Sequence, residues 1–460
     1  MHDTTQTLST RLGRTDLRCF LLIFLCFFLT SAGYLSWLYH LMEFVSPKAA
    51  DTLTMGGGYT LQAAGIGLFA LLIHRHPRSV THGTFFLSLL LYLVCTIPAL
   101  LSHSQTAVIC FGLLGNVFCG LIAAFYLYIL TFAASERMRA VLFGTGYAAA
   151  TIAAWLLSLA GNDNFLASRY ILLVYVALVF LTAALIRRLP FDIRTERPVP
   201  KPVSGMTRLP ILAAGTILLF SLVKNLGFGF PSADILSGIS METSRLFYAA
   251  GLIIAGFITA KNQKYGAVCT IAALITPFLV LSLSGEPVSQ TIFWALDYFI
   301  FAFFSVYRIL LFSDLARKYD RPFASGFGLL FGRIGDVAGT LLGILLVERA
   351  SVLITLAALL FVLAVFIFFR LYQLLYAPAA PSRLSEKERF DAFSIQYSLS
   401  SREQEVLQML LEKKASSEIA DTLFISERTV KFHIHNLLTK TGCTNRTDLL
   451  KLFREETRNM

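Results

Sequence analysis

Apolar residues fill most of the first 376 positions of this 460-residue chain in long blocks, broken by short polar stretches. Twelve blocks can be marked, at 17–45, 53–73, 83–102, 106–133, 138–160, 168–187, 209–230, 243–261, 267–284, 290–313, 323–347 and 350–376. A helix needs about 20 apolar residues to cross a bilayer, and lipid admits only helices or closed barrels because backbone polar groups find no water there. The pattern therefore predicts an all-α, polytopic bundle of twelve transmembrane helices. Most connections are short. The longest, 187–208, is basic and Pro-rich and divides the spans six plus six. The first block follows Arg11, Arg14 and Arg18 and continues too far for the apolar stretch of a signal peptide, about 7–15 residues, so it reads as an uncleaved first span.

After Tyr376 the pattern changes to polar sequence with apolar residues at helical spacing. Residues 377–395 read as a linker, about 65 Å long at most if extended, and 396–460 as a soluble four-helix domain. Ser400 and Glu403 form the S-x-x-E signature of a capping box, with Val406, Leu407, Leu410 and Leu411 as the stripe behind it. A second helix carries Glu418, Ile419, Ala420 and Leu423. Phe424 and Ile425 then turn the chain, and Ser426 caps a third helix that runs to Gly442. Thr444 is expected to cap a last helix from near Arg446.

Composition agrees: 56% of residues are hydrophobic, 15% are charged, and mean hydropathy is +0.67. An ordinary soluble protein carries about 25% charged residues, and a disordered one has low hydrophobicity. The formal charge of +11 invites a nucleic-acid reading, but +10 of it lies in residues 1–377. It reports topology. With the N-terminus inside, eighteen Lys and Arg fall on cytoplasmic segments and four on outer ones, which places both termini in the cytoplasm of an inner-membrane protein. Residues 396–460 carry only +1, yet between Arg428 and Arg446 there are four cations and no carboxylate. The seven Cys are scattered, with no Cys-x-x-Cys, and suit small buried hydrophobes better than disulfides or metal ligands.

Two helices joined by a tight turn, the second carrying exposed cations, can dock in the major groove of double-stranded DNA. The strings LSSREQEVLQML (399–410) and SSEIADTLFISERTVKFHIHNLLTKTGCTNRTDL (416–449) resemble the LuxR/GerE-type helix-turn-helix of NarL/FixJ-like bacterial transcription regulators. The resemblance implies base-edge contacts from Lys431, Phe432 and His435. It implies backbone contacts from Thr429, Lys440 and Arg446, with Ser426 and Arg428 on the same face. For Phe432, packing within the domain remains an alternative to contact with a thymine methyl. It also implies a homodimer through the last helix. Two positions depart from the family: Lys413 where Gly is usual, and Thr441 before Gly442.

Twelve spans split by a long central loop resemble the major facilitator superfamily. The loop signature of that family is degenerate here, reading Ile73-His74-Arg75-His76-Pro77-Arg78 in the first half and Gly256-Phe257-Ile258-Thr259-Ala260-Lys261 in the second. Ionisable residues within apolar spans are costly and mark candidate sites. They include Lys224 with Asn225, Asp297 and Arg308, with Asn116, Trp37 and Glu43 on other spans that the resemblance places around a central cavity. Lys224, Asp297 and Arg308 are either fixed charges for a small charged or aromatic ligand or internal salt bridges. Arg333 and Asp336, three apart, read as a structural pair. Gly332, Gly335, Gly339 and Gly343 read as a helix-packing stripe.

These readings converge on a membrane-bound one-component transcription regulator that senses a small molecule and binds promoter DNA. The alternative is a transporter with a regulatory DNA-binding tail. No P-loop, nucleophile–base constellation, cofactor motif or metal motif stands out in the sequence, so an enzyme is not expected.

Overall fold

The computed structural model describes residues 13–159, 170–189, 208–228, 241–275, 287–346, 348–376 and 386–459. The chain divides into two compact units, Met1–Leu375 and Tyr376–Met460. Described residues of both are helical, with no strand among them.

The first unit opens with α1 (Arg14–Leu41), followed by α2 (Pro47–Asp51), a π-helical stretch Thr52–Gly58, and α3 (Tyr59–Arg75). Helices α4 (His82–Leu101), α5 (Gln105–Ala133), α6 (Arg139–Leu159) and α7 (Ile171–Ile186) complete its first half. The second half holds α8 (Arg208–Phe228), α9 (Met241–Lys261), α10 (Gln263–Cys269), α11 (Pro287–Lys318), α12 (Phe327–Leu346) and α13 (Ala350–Tyr376). A helix thus occupies each of the twelve predicted blocks. Nine helices among the described residues are long and apolar enough to cross a membrane. The sixth block forms a helix of only 16 residues. The ninth begins as α10 and tightens into a 3₁₀ segment, Thr270–Ile275, and its remainder lies outside the described residues. So does most of the central loop, 190–207.

Large apolar side chains such as Leu173, Phe180, Leu345 and Val362 point outward, as a lipid-facing surface requires. The halves meet along two seams, α6 with α9 and α3 with α12. Within the second half α12 lies against α8 so closely that a Cβ on Gly335 or Gly339 would strike the backbone carbonyls of Leu218 and Leu222. That is the close approach expected of the glycine stripe.

Arg139 is one of the eighteen cations counted on cytoplasmic segments. It is 2% exposed and pairs with Asp314 at 3.0 Å while donating to Ser313 Oγ at 3.1 Å, so it ties α6 to α11. Arg317 of α11 reaches the carbonyls of Thr131 and Ala134 from the same end.

The second unit contains α14 (Glu386–Gln396), α15 (Ser401–Leu411), α16 (Ser416–Leu423), α17 (Glu427–Thr441) and α18 (Arg446–Asn459). The capping box forms: Ser400 Oγ accepts from Glu403 N–H, and Glu403 Oε2 accepts from Ser400 N–H at 2.8 Å. Val406, Leu407, Leu410, Ile419, Val430, Leu437 and Leu449 make the core. Lys413 stands at φ 63°, the left-handed conformation that glycine adopts without a Cβ clash, so the turn is kept despite the substitution. The last helix is capped one residue later than expected, by Asn445 Oδ1 accepting from Asp448 N–H.

The predicted linker needs correction. Residues 386–395 belong to α14, which packs on α18 through Phe393, fully buried with its ring 5.0 Å from that of Phe453. The linker pattern hid this helix because its apolar face consists of only a few aromatic residues among charges. The span between α13 and α14 is therefore 377–385, and the reach of nineteen extended residues is not available. Removing a buried Phe costs about 3–5 kcal/mol. In denaturant unfolding, a fragment 386–460 should exceed fragment 396–460 in stability by roughly that amount, and Phe393→Ala should reproduce most of the loss. Equal stabilities would return 386–395 to the linker.

Candidate functional site

On the second unit, Ser426 starts α17 by accepting from Thr429 N–H at 3.1 Å, and Gly442 at φ 69° ends it. Val430 and Leu437 anchor the inner face, and Ile434 is half-buried beside them. Arg428, Lys431, Phe432 and His435 are all exposed. Spaced by three or four, they form one stripe along the helix. Phe432 is 60% exposed, which places its ring on this stripe and outside the core.

The flanking candidates are held differently. Thr429 is half-buried, its hydroxyl 2.8 Å from that of Ser426. Arg446 donates from Nη2 to the Lys414 carbonyl at 2.5 Å, which fastens α18 to the turn after α15. Lys440 donates to the Ser398 carbonyl at 2.9 Å and to Glu403 Oε2 at 2.7 Å. These two cations therefore have structural partners that their sequence reading as phosphate contacts did not include. Burial pushes the Glu403 carboxyl up, but the Lys440 ammonium and the Ser400 N–H outweigh it and hold the group below the usual carboxylate range.

In the first unit a cavity of about 210 Å³ is lined by residues of both halves. Its charges centre on Asp336 of α12, which is 1% exposed. Lys224 Nζ lies 3.5 Å from Oδ1, and Arg308 and Arg333 each bring Nη1 to 3.5 Å from Oδ2. Asn225 donates to the Asp336 carbonyl at 2.9 Å and to Thr340 Oγ1 at 3.2 Å. Phe27, Tyr147, Tyr248 and Phe301 form a chain of ring contacts along one wall. Lys224 Nζ sits 3.8 Å from the centre of the Phe301 ring, and the Arg333 guanidinium 3.7 Å from that of Tyr59. Met55, in the π-helical stretch, reaches the same cavity.

The structure thus brings Lys224, Asn225 and Arg308 together and adds Arg333 and Asp336, which the sequence suggested only as a separate pair. Four other candidates are not part of the lining. Trp37 donates to the Val108 carbonyl at 3.0 Å and packs over Gly112. Asn116 accepts from Gln62 at 2.7 Å and donates to the Gly112 carbonyl. Glu43 is exposed and pairs with His40. Asp297 is buried next to Tyr298, which does line the cavity. The residues that sequence reasoning missed are Arg245 and the tyrosines. The signal available was the presence of Tyr34, Tyr59, Tyr126, Tyr147, Tyr248 and Tyr298 inside otherwise aliphatic and Phe-rich blocks.

Residues 397–453 match the model of the family described as bacterial regulatory proteins, luxR family. The spore germination protein GerE of Bacillus subtilis (strain 168) is 47% identical over 49 residues, 11% of this chain and 66% of that protein. An uncharacterized transcriptional regulatory protein of the same organism, YhcZ, is 45% identical over 62 residues, 14% of this chain and 26% of that protein. The chain therefore spans only part of each. The crystal structure of the human organic anion transporter MFSD10 superposes with a TM-score of 0.56 at 16% identity, covering 79% of this chain and all of that one. That likeness establishes fold alone. Residues 397–453 of the second unit thus form a LuxR-type helix-turn-helix domain, and the first unit has the fold of that major-facilitator-like transporter structure.

Because Glu403 is held low, its contribution to stability is full above the ordinary carboxylate value, about 4.3, and is lost as pH falls through the lowered one. Lys440→Met and Glu403→Gln should each destabilise the domain by about 1–2 kcal/mol at neutral pH. The deficit should shrink on acidification in denaturant titrations. A deficit that grows toward low pH would contradict the pairing.

Proposed function

We propose that this chain is a membrane-bound, one-component transcription regulator of the inner membrane, with both termini in the cytoplasm. The bundle takes up a small molecule in the cavity around Asp336, and the helix-turn-helix domain binds promoter DNA as a dimer formed through α18. The observation that carries the reading is the exposed stripe Arg428–Lys431–Phe432–His435 on the second helix of a LuxR-type motif, in one chain with a cavity-bearing membrane bundle.

Lys431, Phe432 and His435 then meet base edges in the major groove. Arg428, Thr429 and Ser426 stand at the phosphates beside them, and backbone contacts of this kind set register without reading sequence. Arg446 and Lys440 serve phosphates with the donors their structural partners leave available. A ligand signals only if it binds two states of the bundle with different affinity. The second reading, a transporter with a regulatory tail, draws on the transporter-like fold of the first unit. The two differ in whether labelled substrate crosses a proteoliposome membrane.

Lys431→Ala should cost about 1–3 kcal/mol in binding to the cognate site and remove promoter control in a reporter strain, while the protein still inserts in the membrane. Intact promoter control in the variant would sink the proposal.

A further inference from the structure

The cavity has an imbalance of charge that a purely structural ion cluster would not need. Lys224, Arg245, Arg308 and Arg333 line it, and Asp336 is the one carboxylate among the described lining residues. Counting Asp297, which acts electrostatically on Lys224, and Asp51, which with Arg245 acts on the lining Tyr34, cations still exceed carboxylates by one. Asp336 shares its two oxygens among three of the cations, each at 3.5 Å, longer than the 2.7–2.9 Å of a well-formed charged hydrogen bond. Arg308 is 6% exposed, yet among the described residues its Nε and Nη1 and the Nε of Arg333 meet no hydrogen-bond acceptor, and Oδ1 of Asp336 meets no donor. Buried guanidinium donors without acceptors are costly, so this site has donor capacity that Asp336 does not use.

We infer that the cavity binds a small aromatic carboxylate, whose anionic end completes the coordination of Arg308, Arg333 and Lys224 while its ring lies among Tyr59, Tyr248 and Phe301. The class follows from three features. The excess charge selects an anion. The cations already converge on a carboxylate, so their spacing suits a second one. The rings that line the walls favour a flat apolar body, and about 210 Å³ lies below the roughly 300–1,000 Å³ of a drug-sized pocket, which suits a single-ring molecule. Asp336 acts as the resident counter-ion: it holds the cations in place without ligand and competes with the ligand for them. The inference rests on the sensor reading above and names the ligand class.

The test uses the full chain in nanodiscs and matched probes: benzoate and cinnamate, their neutral amides, benzylamine and phenyl phosphate. Binding is read by calorimetry and by the fluorescence of Trp155, which lines the cavity. The carboxylates should bind, and the amides and the amine should not at the same concentration. Arg308→Gln should weaken carboxylate binding roughly tenfold or more, the loss of a charged hydrogen bond. Asp336→Asn, which removes the competitor, should tighten it. If a variant fails to insert, the comparison of probes on the unaltered chain still decides. Failure of both carboxylates to bind, equal binding of the amides or amine, tighter binding of phenyl phosphate, or indifference to Arg308→Gln would each overturn the inference. The two readings fail separately. A promoter that depends on Lys431 while no carboxylate binds would sink this inference alone. Carboxylate binding without any promoter response would sink the sensor reading and leave the site.

Discussion

A single buried carboxylate, Asp336, organises the charged interior of the membrane unit. Three cations from three helices meet on it: Lys224 from α8, Arg308 from α11 and Arg333 from its own helix. Charges in an apolar bundle are tolerated only when paired or turned to a cavity, and here both conditions hold at once. Remove the carboxylate and three cations would repel one another in a low-dielectric space. Retain it and they remain under-coordinated, because each stands 3.5 Å away and Oδ1 makes no hydrogen bond among the described residues. The stability of the bundle and the proposed binding of an anion therefore draw on the same group.

The DNA-binding unit shows a related economy. Glu403 closes the capping box of α15 and receives Lys440 from the end of α17. One carboxylate thus fixes the start of the first motif helix and the far end of the recognition helix. The stripe that faces outward along α17 is held in place by pairs on its flanks as well as by Val430 and Leu437 beneath it.

Much of this was legible in the sequence, for identifiable reasons. Long apolar blocks, the Ser400–Glu403 box, the Ser426 cap and Gly442 each depend on local chain chemistry, and each produced the expected element. What failed depended on distance in space. Arg139 sits beside other loop cations in sequence, and only the packing of α6 on α11 shows that it is buried against Asp314. Trp37, Asn116 and Glu43 lie on spans expected to line a cavity, but a span has several faces, and apolar blocks of this kind carry too little polar patterning to show which face turns inward. The Arg333–Asp336 pair could be seen at i, i+3. Its convergence with Lys224 and Arg308, more than twenty residues away along the chain, could not.

The glycine seam has a further implication. Gly335 and Gly339 bring α12 onto the backbone of α8, and Gly328 brings it onto the carbonyl of Arg308 in α11. No layer of side chains separates these helices, so nothing lubricates a slide between them. Lys224, Arg308 and Asp336 are thereby mounted on a frame with fixed spacings. A frame of that kind works as a gauge. At the proposed anion site such a frame would select by the distance from charge to ring, and the seam between the halves is closed in the same way, Gly144 of α6 lying against the Leu252 carbonyl of α9.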